Sequence, residues 1–202
     1  MFDCGCSYSS CFRYFRELQR RGIFKKEFLA LSRLKTDITE CAIDTDSTSS
    51  SRFRRGAGWD GRHKKYGTKI SLLGDKNGLP ADVLVDNARR SDPSFLDQHI
   101  KNTAGRRKKV LNLDKIYVSL ERRRKYKKKG IYINMKTRKR DYIRKKGPKF
   151  KLKEEKYRVR FLVEKLFAWI ENFRRCKYRV DYKLSSYKGF VYLALLIILI
   201  RN

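Results

Sequence analysis

The sequence predicts an α/β domain: a mixed sheet, made of an antiparallel three-strand meander plus parallel strands, flanked by helices and preceded by a short helical segment. Three observations predict it. The strand-like runs Thr68 to Leu73 and Leu79 to Val85 are joined by Asp75-Lys76-Asn77-Gly78, a turn signal, so they form a hairpin. Between Val110 and Asn134 an apolar run, a cationic helix-like stretch and a short strand follow one another, the βαβ order. From Tyr157 to Arg175 the period is helical. At about 100° per residue, Val159, Leu162, Val163, Leu166, Ile170 and Phe173 share one arc, and Tyr157, Arg160, Glu164 and Glu171 lie roughly opposite.

Taken in order, residues from about Ser10 to Leu34 read as helical. Ser9 or Ser10 can cap, Phe12, Phe15 and Leu18 recur at helical spacing, and Gly22 can end the first helix. Cys41, Ala42 and Ile43 form a short apolar strand ending in Asp44 and Asp46, which share one face because the side-chain period of a strand is two. This strand and the hairpin make the meander. The stretch RFRRGAGWDGRHKKYGTK, Arg52 to Lys69, mixes glycine, cations and aromatics, and suits a loop lying along a nucleic-acid strand. Asp92 is expected to cap a helix with Pro93 at its first position and SFLDQHIKN as its body. Val110 to Leu113 is an apolar run ending in a second acid, Asp114, and the helix-like SLERRRKYKKKG leads to a strand from Ile131 to Asn134. Lys136 to Lys156 reads as a solvated cationic linker. The apolar Gly189 to Ile200 falls short of the roughly 20 residues a bilayer span needs and reads as a buried helix.

Composition narrows the class of partner. The chain of 202 residues is 41% hydrophobic, with 12 Tyr and 12 Phe, which excludes a disordered chain. Its 52 Lys and Arg against 21 acids give a formal charge of +31, beyond what solubility requires, and imply a polyanionic partner, nucleic acid first. Five cysteines without a regular framework suit a reducing, cytoplasmic setting, and MFDCGCSYSS lacks the features of a signal peptide. Cys4, Cys6 and Cys11 lack a nearby His and the two-residue gap of a zinc site.

Tyr157, Arg160 and Glu164, followed by WIENFRR, resemble the Tyr-Arg-Glu-Lys signature of bacterial and archaeal insertion-sequence DDE transposases. The hairpin run GTKISLLGDKNGLPADVLVDNARRSD is similar to the same family. The resemblance implies a ribonuclease-H-like catalytic domain over residues 41–202, preceded in 1–40 by the remnant of a helix-turn-helix region that is longer in family members. It implies that Asp44 (or Asp46), Asp114 and Glu164 are the three catalytic, metal-binding acids, 70 and 50 residues apart. It also implies DNA contacts from Tyr157 and Arg160, from His63, Lys64 and Lys65 of the glycine-rich loop, and from Arg174 and Arg175. Two positions depart from the pattern. Glu171 stands where the family has its Lys, and Val118 where an Asp is usual.

A phosphodiester is shielded by its own charge, and three carboxylates suit two Mg²⁺ (or Mn²⁺) ions about 3.5 to 4 Å apart. By resemblance, the chain is expected to cut transposon ends to leave a 3′-hydroxyl that attacks target DNA in line, working as a homodimer on DNA and without a membrane. In a prokaryote it would be nucleoid-associated. A second reading comes from another class: a truncated, inactive remnant that only binds nucleic acid.

Overall fold

Alternation along one strand sets up the architecture. In β1 (Glu40–Ser49), Cys41 and Ile43 enter one apolar core and Ala42 enters another, because successive side chains of an extended chain leave opposite faces. The strand is therefore central in a sheet covered on both sides. The computed structural model describes residues 5–51, 54–117, 119–136 and 151–202, and among these six strands form one mixed sheet. Antiparallel to β1 runs β3 (Lys65–Asp75), from Asp75 opposite Cys41 to Gly67 opposite Ser49. The far edge of β3 pairs with β2 (Gly58–Asp60) and then β4 (Pro80–Asn87), both antiparallel. Beyond β1, β5 (Val110–Leu113) pairs in parallel with Glu40 to Ile43, and β6 (Tyr132–Asn134) in parallel with β5. The antiparallel meander and the parallel strands expected from the sequence are both present.

Helices α1 (Tyr8–Arg20) and α2 (Ile23–Lys35) precede the sheet, while α3 (Pro93–Asn102) and α4 (Leu120–Lys128) connect its strands. After it come α5 (Glu154–Tyr157), α6 (Val159–Glu171), α7 (Arg174–Lys177) and α8 (Leu184–Arg201). One core joins Ala42, Leu72 and Val83 of the sheet to Phe28 of α2, Val163 and Leu166 of α6, and Val191 and Leu195 of α8. The other joins Ile43, Leu73 and Leu111 to Leu96 of α3 and Tyr126 of α4. The sheet is thus the middle of three layers. Close docking of α6 depends on Gly74, where a Cβ would come within 2.6 Å of Val163.

Several expectations are corrected. Ser7, not Ser9 or Ser10, caps α1, its hydroxyl accepting from the Ser10 amide at 3.1 Å. The first strand does not end at its two acids, Asp44 and Asp46. It runs on to Ser49 because β3 continues to supply partners as far as Gly67, and pairing outweighs the low strand propensity of Asp-Thr-Asp-Ser. Tyr157 to Arg175 is not one helix: it breaks at Arg158 and again at Phe173, whose extended backbone turns α7 so that Cys176 is buried. Burial pushes the Cys176 thiol up to about 12, so it acts as a small apolar side chain. Asp92 makes no capping hydrogen bond; it is buried, and its carboxylate pairs with the Lys69 ammonium at 2.7 Å. The final helix has 18 residues, long and apolar enough by composition to cross a membrane, yet Tyr187, Val191, Ala194, Leu195, Ile198 and Leu199 are buried in the first core. Cys4 and most of the cationic linker lie outside the described residues, as does Val118.

A Ser-His-Asp chain that the sequence did not announce ties α3 to the sheet. His99 Nε2 lies 2.9 Å from Ser71 Oγ, and His99 Nδ1 lies 2.8 Å from Asp82 Oδ2, which also accepts from Asn102 at 3.0 Å. The order is that of a hydrolase relay, but Ser71 and His99 are wholly buried, so no substrate reaches them. The chain is structural. His99→Ala will leave two buried polar partners unmet and cost about 3 kcal/mol. A urea titration checks this, and an unchanged midpoint would refute it.

Candidate active site

Register places the first two acids side by side. Ile43 pairs with Leu113 across the parallel strands, so the residues that follow, Asp44 and Asp114, come next to one another. Their parity with Ala42 and Asn112 aims both at the face that α6 covers. At this point β5 stops and β1 continues, leaving a crevice at the carboxyl end of the parallel pair, where open α/β sheets place their ligands.

The third acid arrives on α6. Val159, Val163, Leu166 and Ile170 of this helix are buried, which leaves Arg160 and Glu164, one turn apart, at its edge beside the crevice. Arg160 Nη2 lies 2.8 Å from Glu164 Oε1 and 3.2 Å from Asp44 Oδ2, and its Nη1 lies 4.0 Å from Asp114 Oδ1. One guanidinium therefore touches all three acids. The Asp44 and Glu164 oxygens, which share a nitrogen, can be no further apart than those two distances laid end to end. Asp46, two residues on, instead accepts from the Ser47 amide at 2.7 Å.

Three carboxylates and one guanidinium leave two negative charges in excess. Burial raises the pKa of Asp44, outweighing the opposing pull of Arg160. Burial also opposes the Arg160 charge, but Asp44, Tyr157 and Asp114 together more than offset it and hold its pKa above the ordinary value. The two shifts have different causes: burial for Asp44, and the surrounding anionic and phenolic oxygens for Arg160. Since the folded state holds the Asp44 proton more tightly than the unfolded chain, Asp44 lowers stability as pH rises from the usual carboxylate range through its own raised pKa. Asp44→Asn will therefore raise the melting temperature at neutral pH without divalent cations, and the gain will fade on acidification. Melts from pH 3 to 7 will show it. A gain independent of pH would contradict the burial argument.

The donor set suits a hard divalent cation: three carboxylates, surplus negative charge, and side chains 18%, 20% and 46% exposed for Asp44, Asp114 and Glu164. Among the described residues no three ligating side chains are yet gathered at coordination distance, because the guanidinium stands between them. Its own Nε is buried without a hydrogen-bond partner, so Arg160 is not ideally housed there.

Behind Arg160 stands Tyr157, which is buried, donates to the Leu113 carbonyl at 3.4 Å and also engages the guanidinium. This location suits holding Arg160 more than presenting a ring to DNA. The loop residues lie far from the crevice. Asp44 faces Leu72, and Lys65 is seven residues back along β3, about 23 Å at the rise of a strand. His63 Nδ1 lies 3.0 Å from Asp60 Oδ2, and Lys64 takes a left-handed conformation at φ 50° in the β2–β3 turn. Although burial pushes the Asp60 carboxyl up, the Ser47 hydroxyl, the His63 ring and the amides of Arg62 and His63 hold it well below the usual range. His63 is thus part of a turn anchor. Arg174 is exposed, whereas Arg175 is taken up by Asp181 at 3.1 Å and the Tyr8 hydroxyl at 2.8 Å.

Two positioning residues were missed in the sequence. Asn112 and Asn134 occupy one rung of β5 and β6, and the Asn134 amide donates to Asn112 Oδ1 at 2.8 Å and to the Lys153 carbonyl at 2.9 Å while accepting from the Lys153 amide. They moor the chain just ahead of α5 and α6. The signal was present as an amide inside each apolar run, VLNL and IYIN.

The family described as Transposase DDE domain matches residues 37–199. No curated protein matches the chain. Among solved structures, it is similar to piggyBac transposase in a synaptic complex with hairpin DNA, with 13% identity, a TM-score of 0.38 and coverage of 56% of this chain. The chain spans about a quarter of the length of that protein, 27%.

Proposed function

This chain belongs to the transposase DDE domain family, and we propose that it is a DNA transposase acting at insertion-sequence ends with Asp44, Asp114 and Glu164 as its catalytic acids. What supports this reading is the meeting of three acids, distant in sequence, around one guanidinium at the carboxyl end of two parallel strands. These acids would hold two Mg²⁺ or Mn²⁺ ions, which when bound shield the phosphodiester, activate the attacking oxygen and steady the leaving one. The chain's own residues supply placement. Adjacent strands fix the spacing of Asp44 and Asp114, and Gly74 lets α6 sit low enough to bring Glu164 to them. Arg160, once freed from the carboxylates, has the charge and reach to take a phosphate oxygen of the strand being cut, with Tyr157 bracing it. Lys64, Lys65 and Arg174 extend a cationic track for DNA, and a homodimer would bring two ends together.

The test is incubation with a labelled duplex of the inverted repeat flanking the gene, with and without Mn²⁺. Nicking that leaves a 3′-hydroxyl and stops in EDTA is expected. DNA binding without cutting, together with no thermal stabilisation by Mn²⁺, would favour the remnant reading, for which Glu171, exposed at the end of α6, is the specific observation. With about eight phosphate contacts, affinity will fall with about the seventh power of salt concentration.

A further inference from the structure

Residues 178–182 alternate between exposed and buried side chains in a pattern that catalysis does not use. Tyr178, Val180 and Tyr182 are 57%, 49% and 58% exposed, whereas Arg179 and Asp181 between them are buried. Leaving large apolar groups in water is unfavourable, and here a buried strut holds them outward. The Arg179 guanidinium donates to the Thr68 hydroxyl at 2.6 Å, to the carbonyls of Tyr182 and Asp181 at 3.1 and 3.3 Å and to that of Arg55, and it lies over the Tyr187 ring. Arg175 secures Asp181 in turn. Ser50 and Arg179 form a parallel bridge, so the segment widens the sheet at the end of β1.

Burying a charge costs several kcal/mol unless its donors are met; this Arg spends its donors on the backbone and side chains that order the exposed row. The chemistry around the row is cationic. Arg174, Lys177 and Lys183 are exposed, the Lys177 ammonium lies 6.0 Å from the Tyr178 ring centre, and between Asn172 and Lys188 the one acid is the buried Asp181.

We propose that Tyr178, Val180 and Tyr182 form a stacking platform for the unpaired bases of a DNA strand. It lies about 20 Å from the acids, the length of the six residues from Asp44 to Ser50 along an extended chain. Pre-ordered rings framed by cations match a strand with free base faces and a phosphate backbone; a duplex keeps its base faces to itself. Charge complementarity selects nucleic acid over a protein partner. The choice of DNA rests on the proposed transposase reading, but the platform does not rest on the three acids.

The test compares the full chain with its Tyr178→Ala/Tyr182→Ala variant by fluorescence anisotropy on a 12-nucleotide oligothymidylate and on a blunt duplex of equal length, in 0.5 M NaCl. Wild type is expected to prefer the single strand at this salt. The variant is expected to lose roughly tenfold in single-strand affinity for each ring removed, with duplex affinity unchanged within twofold. Tyr178→Trp is expected to keep binding and to show an added emission that the oligonucleotide quenches. Equal loss on both DNAs, no loss in a folded variant, or an added emission from the Tyr178→Trp protein that the oligonucleotide leaves unquenched would overturn the proposal. So would loss of self-association alone, which would assign the patch to a second copy. Cleavage is not part of the readout, so a failure here and a failure of the transposase reading are separable.

Discussion

Asp114→Asn will fold as wild type does and lose about a thousandfold or more in Mn²⁺-dependent strand cleavage. The expected size follows from what charge stabilisation by bound divalent cations contributes to phosphoryl transfer, several kcal/mol, at 1.36 kcal/mol per tenfold in rate. The substitution keeps shape and removes one anionic donor. Because Asp114 is the acid most loosely held by Arg160, at 4.0 Å, its loss disturbs the metal-free arrangement least and tests chemistry with little confusion from folding. Circular dichroism establishes the fold, and gel analysis of a labelled end duplex measures the rate. Cutting by Asp114→Asn at the wild-type rate would remove Asp114, and with it the three-acid assignment.

Replacing Arg160 by Ala will act through stability first. Without divalent cations the variant leaves Asp44, Asp114 and Glu164 near one another with no counter-charge. Breaking a fully buried ion pair costs about 3 to 5 kcal/mol. Arg160 is 19% exposed, so solvent screening reduces this to about 2 kcal/mol, or about 6 °C in melting temperature for a chain of this size. Added Mn²⁺ should then stabilise the variant more than wild type, because no resident guanidinium competes for the carboxylates. Differential scanning fluorimetry across a Mn²⁺ series reads both effects. If the variant gains no more than wild type does, the guanidinium and the metal do not share a place.

Much of the fold was legible because its signals are local. Asp75 to Gly78 announces the β3–β4 hairpin, and the structure adds that the Asp75 carboxylate accepts from the amides of Asn77 and Leu79 within the turn and from that of Asp37 outside it. The βαβ order around β5 needed only the change of hydrophobic period. Local signals failed where a distant partner decides. Nothing within Asp-Thr-Asp-Ser says that β1 continues, since the reason lies in β3. Asp92 before Pro93 looks like a cap, but a lysine 23 residues earlier holds its carboxylate. His99, Ser71 and Asp82 sit on three different elements, and no spacing links them. The site shows the same division. Its acids could be proposed from short patterns and a family resemblance, whereas the meeting of all three at Arg160 depends on the register of β1 with β5 and on the low seat of α6 at Gly74.

The pairing of the second helix with the last has a consequence for biosynthesis. Phe28 of α2 shares its core with Val191 and Leu195 of α8, and the Lys35 ammonium reaches the Leu199 carbonyl at 2.7 Å. A nascent chain cannot close that layer until residues near 199 have cleared the ribosome exit. Until then an unfinished, strongly basic polypeptide waits beside ribosomal RNA with that face of its sheet covered by α2 and α6 alone. Maturation should be slow and late, and early stop codons should yield insoluble fragments.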